Sequence, residues 1–114
     1  MAANREKAYL GTMLKFLVEI TSRGFDMDRD EFEIILKRGS YTRTYQKSEL
    51  VVETYVEEIS GEPIEKHNYY LCIDTTEYGK GLIQAAVKAY VPDVDFDGGI
   101  RVEIDKTSLI NIIS

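Results

Sequence analysis

Residues 69–105 constrain the fold of this chain more than any other segment. They contain three runs rich in apolar and β-branched side chains, two turns marked by glycine, and a loop that carries three aspartates. Apolar and polar side chains alternate over residues 82–91 and again over 100–105, which is the period of a strand with one buried face. We therefore expect three strands here, with turns at residues 79–81 and 97–99.

Further strand signals precede and follow this block. Residues 32–36 alternate in the same way, and residues 50–56 are rich in β-branched side chains, which suit a pleated surface. Turn signals separate the runs at residues 22–24, 38–40 and 60–63. Residues 108–114 are apolar, and we expect them to be a strand paired in its own sheet or in that of a neighbouring molecule, because a free apolar edge would aggregate. Short strands separated by turns favour a sandwich or barrel over a parallel α/β sheet.

Residues 4–20 fit two periodicities. One set of apolar side chains has helical spacing, whereas Leu14, Phe16, Val18 and Ile20 have strand spacing. Gly11 and Thr12 interrupt the segment, which argues against one continuous helix. We expect a short arm or helical turn over residues 4–10 and a strand over 13–21, with one helix over 4–20 as the alternative. The predicted organisation is an N-terminal arm at 1–12 and a single β-sandwich domain at 13–114.

Charge and composition narrow the classes of partner. The 114 residues carry 14 Lys and Arg against 20 Asp and Glu, for a net charge of −6. This balance argues against nucleic-acid binding, which needs a surplus of basic side chains. Residues 1–15 are slightly basic and residues 26–33 are acidic, which favours self-association into a homo-oligomer. The chain has neither a signal-peptide pattern nor an apolar run long enough to span a membrane, so we expect no membrane contact.

The residue types that usually perform catalysis are scarce. Cys72 is the only cysteine, and because Leu71 and Ile73 flank it we predict a small core residue. His67 is the only histidine, and catalytic triads and most zinc sites need further partners. We therefore predict that the protein is not an enzyme and has no resident cofactor. The eight tyrosines favour a protein contact surface.

The loop after residue 92 resembles a cation-binding motif. Asp93, Asp95 and Asp97 precede a glycine in the spacing that calcium loops use to converge carboxylates on one ion. The twelfth position is Ile104, where such a loop needs a bidentate glutamate. We expect an acidic turn between strands, with a calcium site as the alternative that a calorimetric calcium titration tests. A second acidic run over residues 26–30 is expected to be a solvated loop.

Four stretches resemble a known group of proteins. They are GTMLKFLVEI, GFDMDRDEFEIILKRG, KSELV and YYLCIDTTEYGKGLIQAAVKAYVPDVDFDGGIRVEI, which lie within residues 11–105. This series is similar to small immunoglobulin-like β-sandwich structural proteins of Bacteroidales phages and prophages, including crAss-like phages. The resemblance implies an all-β, immunoglobulin-like antiparallel β-sandwich with no catalytic residues.

The same resemblance implies a function. It indicates a virion structural protein of the tail, neck or head decoration, made in the cytoplasm of the host bacterium and assembled with other virion proteins. Two alternatives from other classes remain. One is a calcium-dependent or carbohydrate-binding β-sandwich module, and the other is a small phage-encoded inhibitor of a host protein.

Overall fold

The computed structural model describes residues 6–114, which form two β-sheets packed face to face. The strands and the one α-helix, in chain order, are β1 (Lys7–Tyr9), β2 (Met13–Val18), β3 (Phe32–Arg38), β4 (Tyr41–Gln46), β5 (Val51–Ile59), β6 (Glu62–Asp74), α1 (Thr75–Tyr78), β7 (Gly81–Pro92) and β8 (Ile100–Ile113). Single turns of 3₁₀ helix precede β5, at Lys47–Glu49, and β8, at Asp97–Gly99.

The strand order is that of an immunoglobulin-like sandwich. Sheet A has the order β1-β8-β7-β3-β4, and sheet B has the order β2-β6-β5. In the lettering of immunoglobulin domains, β8, β7, β3 and β4 occupy the positions of G, F, C and C′, while β2, β6 and β5 occupy those of B, E and D. All pairs are antiparallel except β1 with β8. The prediction of an all-β sandwich is confirmed.

The core lies between β3 and β7 of sheet A and β2 and β6 of sheet B. Alternate side chains of each strand enter it, since successive residues of a strand point to opposite faces. Its members include Phe16, Val18, Phe32, Ile34, Leu36, Leu71, Ile73, Ile83, Val87 and Ile112. Burial of one side chain of this size stabilises the folded state by roughly 1.5–3 kcal/mol. The alternating apolar positions therefore favour the arrangement in which they face the core.

The N-terminal segment is extended. Residues 7–9 form a strand parallel to the end of β8, with Ala8 buried beside Ile112, and the chain turns at Gly11 before β2. The alternative of one helix over residues 4–20 is therefore wrong, and so is a helical turn within residues 6–10. This segment is a strand because β1 supplies backbone hydrogen-bond partners to an edge of β8 that would otherwise be unpaired. The part of the predicted arm at residues 1–5 lies outside the described residues.

The C-terminal run is a paired strand, as predicted, but it is continuous with the strand before it. β8 runs for 14 residues, and its pairing with β7 shifts between Ile83 and Gln84. The shift leaves Leu109 as an extra residue, so that Leu109 and Ile110 are both buried. A bulge of this kind reverses which side chains face the core.

Ahead of the bulge, the alternation of β8 is opposite to the expected one. Ile100, Val102 and Ile104 are 41%, 47% and 57% exposed, and they lie on the outer face of sheet A. Arg101 and Glu103 occupy the inner side and are partly buried. The strand is confirmed, but the prediction that its apolar face is buried is wrong. Sheet B has only three strands and does not extend over this part of β8.

A short helix that the sequence patterns did not indicate joins β6 to β7. Asp74 caps α1 by accepting a hydrogen bond from the Thr76 amide at 3.0 Å. Tyr78 at the end of α1 is 1% exposed, and its hydroxyl lies 2.6 Å from the hydroxyl of Tyr45 on β4. Burial raises the pKa of both hydroxyls, so the pair is neutral at pH 7. The pair connects the helix to the outer strand of sheet A.

This hydroxyl pair provides a test of the fold. Tyr78→Phe should reduce the free energy of unfolding by roughly 1–3 kcal/mol, because it leaves the Tyr45 hydroxyl buried without a partner. The double variant Tyr45→Phe/Tyr78→Phe should cost less than the sum of the two single changes, since it removes both polar groups. Urea unfolding of the four proteins measures the coupling, and strictly additive losses would contradict it.

Candidate interaction surfaces

The β5–β6 hairpin extends beyond the body of the sandwich. We call residues 51–68 the ribbon; all nine residues of β5 are exposed, and the paired residues 62–68 are exposed or partly exposed. Its tip is a two-residue turn at Ser60 and Gly61, with φ of 53° and 79°. Positive φ at both positions is characteristic of the tight hairpin turn that matches strand twist. An isolated two-stranded ribbon is only marginally stable in water. The stability of this one therefore depends on the contacts at its base, where it joins the sandwich.

Polar contacts hold the base of the ribbon on both faces. On the outer face, Lys15 Nζ lies 2.7 Å from Glu53 Oε1 and 4.4 Å from the centre of the Tyr70 ring. On the inner face, the Tyr69 hydroxyl donates to Asp28 Oδ1 at 2.6 Å, and His67 Nδ1 lies 3.1 Å from the same oxygen. The Tyr69 hydrogen bond is the largest cause of the lowered pKa of Asp28, and burial raises the pKa of Tyr69 to about 12.

The remainder of the ribbon combines apolar and acidic side chains. Tyr55, Ile59 and Ile64 lie on the face that continues the outer face of sheet B, and they are 43%, 43% and 39% exposed. Glu57 and Glu62 lie on that same face, paired across the strands with Ile64 and Ile59, and Lys66 lies there too, paired with Tyr55. We call these six residues the Tyr55 face. Over its whole length the ribbon has five glutamates and one lysine.

The outer face of sheet A has the opposite charge. Cross-strand pairing places four lysines and one glutamate on it: Lys7, Lys37, Lys88, Lys106 and Glu33. Lys88 lies 3.9 Å from Glu33, whereas within residues 6–114 Lys37 and Lys106 make no ion pair. A chain with a net charge of −6 thus presents one basic sheet face. We call it the basic face.

Apolar side chains run between these lysines. Ile100, Val102 and Ile104 form an exposed row along β8, and Ile35 and Ala86 lie next to it. An open groove of about 560 Å³ lies here, and its lining includes Ile104, Ile35, Ala86, Lys37 and Lys106. An apolar surface bordered by polar groups is typical of an interaction site on a folded protein.

The free edge of β8 adjoins an acidic cleft. β1 pairs only with residues 111–113, so within the described chain the preceding part of β8 has β7 on one side alone. Between this part of β8 and residues 19–22 lies a cleft of about 360 Å³, whose floor is Val87 and Ala89 and whose rim includes Glu103 and Asp105. A hydrogen bond from Ser22 lowers the pKa of Glu103, so the cleft is negatively charged at neutral pH.

The aspartate loop does not bring its carboxylates together. Asp93 accepts hydrogen bonds from the Asp95 amide, at 3.0 Å, and from the Arg101 guanidinium, and these contacts lower its pKa. The side chains of Asp95 and Asp97 are exposed. Among residues 6–114 no group of three His, Cys, Asp or Glu side chains is arranged to hold a metal ion. Calcium binding by Asp93, Asp95 and Asp97 stays a prediction.

His67 and Cys72 lie on opposite faces of β6. His67 shares the inner side with Tyr69, whereas Cys72 pairs with Lys15 on the outer face of sheet B and is exposed. The prediction that Cys72 is a core residue is wrong, because its neighbours Leu71 and Ile73 take the inward positions. The tyrosines divide similarly: Tyr45, Tyr69 and Tyr78 are buried, and Tyr9 and Tyr55 are exposed.

The second acidic run is solvated at Asp26 and Asp28, as predicted, but the prediction is wrong for Asp30, which is buried. Asp30 is 7% exposed and accepts hydrogen bonds from Arg29 Nε at 2.8 Å, Arg29 Nη2 at 2.9 Å and the Asp26 amide at 2.8 Å. Lys47 Nζ donates to the Asp28 and Asp30 carbonyls at 3.1 and 2.8 Å. The loop is thereby fixed to the 3₁₀ turn before β5, and it carries the Asp28 carboxylate to the ribbon base.

Comparisons with known proteins give no relative. No family model, no curated protein and no solved structure matches the chain. No helix within residues 6–114 is long and apolar enough to cross a membrane.

Acidification should weaken the loop that supports the ribbon. The Arg29 hydrogen bonds lower the folded-state pKa of Asp30, so its contribution is complete above the unfolded pKa of about 3.9 and is lost as the pH falls below it. Asp30→Asn should therefore cost roughly 1–3 kcal/mol at pH 7 and progressively less from pH 4 towards pH 2. Urea unfolding across that range measures the difference, and a gap that does not change with pH would contradict this role.

The exposed thiol provides a direct check of the β6 register. In the native protein Cys72 should react with one equivalent of a chromogenic disulfide reagent at nearly the rate seen in denaturant, because its side chain is in solvent. Cys72→Ser should remove the signal and leave stability almost unchanged. A thiol that reacts only after unfolding would mean that the two faces of β6 are reversed.

Proposed function

We propose that this protein is a structural component of a bacteriophage particle, in the tail, neck or head decoration, and that it acts through protein–protein assembly. The observation that carries the proposal is the reversed alternation of β8, which places Ile100, Val102 and Ile104 in solvent on a sheet face. A chain that keeps three large apolar side chains in one exposed row loses stability and solubility unless a partner covers them.

The ribbon supports the same proposal. It exposes Tyr55, Ile59 and Ile64 on a projecting hairpin. Aromatic and aliphatic side chains on a projecting element are suited to anchoring a protein interface. Residues 11–105 resemble the β-sandwich structural proteins of phages, and for this reason we propose that the assembly is a phage particle. The proposed location is the virion, after synthesis in the host bacterium.

The proposal is tested by the composition of particles. Mass spectrometry of purified virions should detect this chain at a constant ratio to the major capsid protein after nuclease treatment and gradient purification. A phage protein expressed at similar levels but not assembled is the control for carry-over. Absence from particles, together with abundance in the infected-cell lysate, would reject the proposal. Recovery with one host enzyme in equal amounts would instead favour the inhibitor alternative.

A further inference from the structure

The ribbon and the basic face are complementary in charge and chemistry. The Tyr55 face of the ribbon presents three apolar side chains with two glutamates and one lysine, and its glutamates lie towards the tip. The basic face presents an apolar row with Lys37 and Lys106. Both surfaces are exposed, and opposite charges that border apolar patches favour one orientation of contact.

One chain cannot satisfy both surfaces by itself. The basic face is the side of sheet A that points away from sheet B, and the ribbon is an extension of sheet B. The body of the sandwich therefore separates the Tyr55 face from the basic face of the same chain. Contact between them requires two molecules.

We propose that the ribbon of one copy lies across the basic face of a second copy, with the Tyr55 face against the groove between Lys37 and Lys106. The dimensions agree with this arrangement. β5 contributes nine residues to the ribbon and β6 contributes seven, about 30 and about 24 Å at the rise of a strand, and the five strands of sheet A span about 20 Å. Ile59 and Ile64 would contact Ile35 and Ile104, and Glu57 and Glu62 would lie near the two lysines.

The contact joins two different surfaces, so it is heterologous. Each copy then retains a free ribbon at one end and a free basic face at the other, and repetition generates a closed ring or an open filament. This inference rests on the proposed function and specifies it: copies of this chain recognise one another head to tail. The lysines and glutamates also make the contact dependent on salt, because exposed charge pairs are screened.

A charge exchange tests the contact. Sedimentation velocity at low salt should show concentration-dependent assembly of the wild type that weakens in 0.5 M NaCl. The ribbon variant Glu57→Lys/Glu62→Lys and the face variant Lys37→Glu/Lys106→Glu should each weaken assembly by roughly tenfold or more, since each brings like charges together. A mixture of the two variants should assemble again, because the reversed ribbon now meets the reversed face.

A matched control separates this contact from net charge. Asp95→Lys/Asp97→Lys raises the net charge by the same amount as the ribbon variant does, at exposed positions outside both surfaces, and it should assemble as the wild type does. Circular dichroism checks that every variant is folded. A monomeric wild type, unchanged assembly in either double variant, or no recovery in the mixture would overturn the proposal.

The two proposals fail in different experiments. A chain that is present in purified particles but monomeric in sedimentation would retain the virion function and lose the head-to-tail contact. A chain that assembles by charge exchange but is absent from particles would retain the contact and lose the virion function.

Discussion

Sheet A has five strands and sheet B has three, and the exposed surface of this protein depends on that difference in width. Sheet B covers the inner side of β3 and β7, where the large apolar side chains are fully buried. Sheet B does not cover the inner side of β8 ahead of the bulge. Polar residues lie on that side, and the isoleucines and the valine of this part of β8 lie on the outer side. Along the strand direction, β5 and β6 extend beyond the end of sheet A, and the part that extends is the ribbon. The two candidate contact surfaces thus follow from differences between the packed layers, one in the number of strands and one in their length.

Polar contacts determine where the long elements project. Within residues 6–114 no buried side-chain nitrogen or oxygen lacks a hydrogen-bond partner. Thr75 shows the pattern, since its hydroxyl donates to the Thr12 carbonyl at 2.8 Å and accepts from the Gly11 amide at 2.9 Å, which joins the turn after β1 to the start of α1. Asp28 similarly joins the loop before β3 to the base of the ribbon, through Tyr69 and His67. Such contacts add little net stability but are costly to break, so they specify one arrangement of strands and loops.

Much of the fold could be predicted from sequence. Strict alternation identified β3, β7 and the first part of β8, and glycine-marked turns separated them, because period two and left-handed turns are local properties of the chain. The candidate surfaces could not be predicted this way. Cys72 between Leu71 and Ile73 was assigned to the core although its position in the alternation pointed outward. The apolar row of β8 was assigned to the interior because the pattern does not show which face of a strand a second sheet covers.

The sequence by itself determined the all-β class, most of the turns, the acidic character and the absence of an internal disulfide, since each depends on residue identity or local periodicity. Tertiary structure decided the rest. The bulge at Leu109, the parallel pairing of β1 and the overhang of the ribbon all depend on which strands become neighbours. Pairing over long sequence separations sets which alternating face is covered, and a side chain becomes core or contact surface only when the opposing sheet is in place.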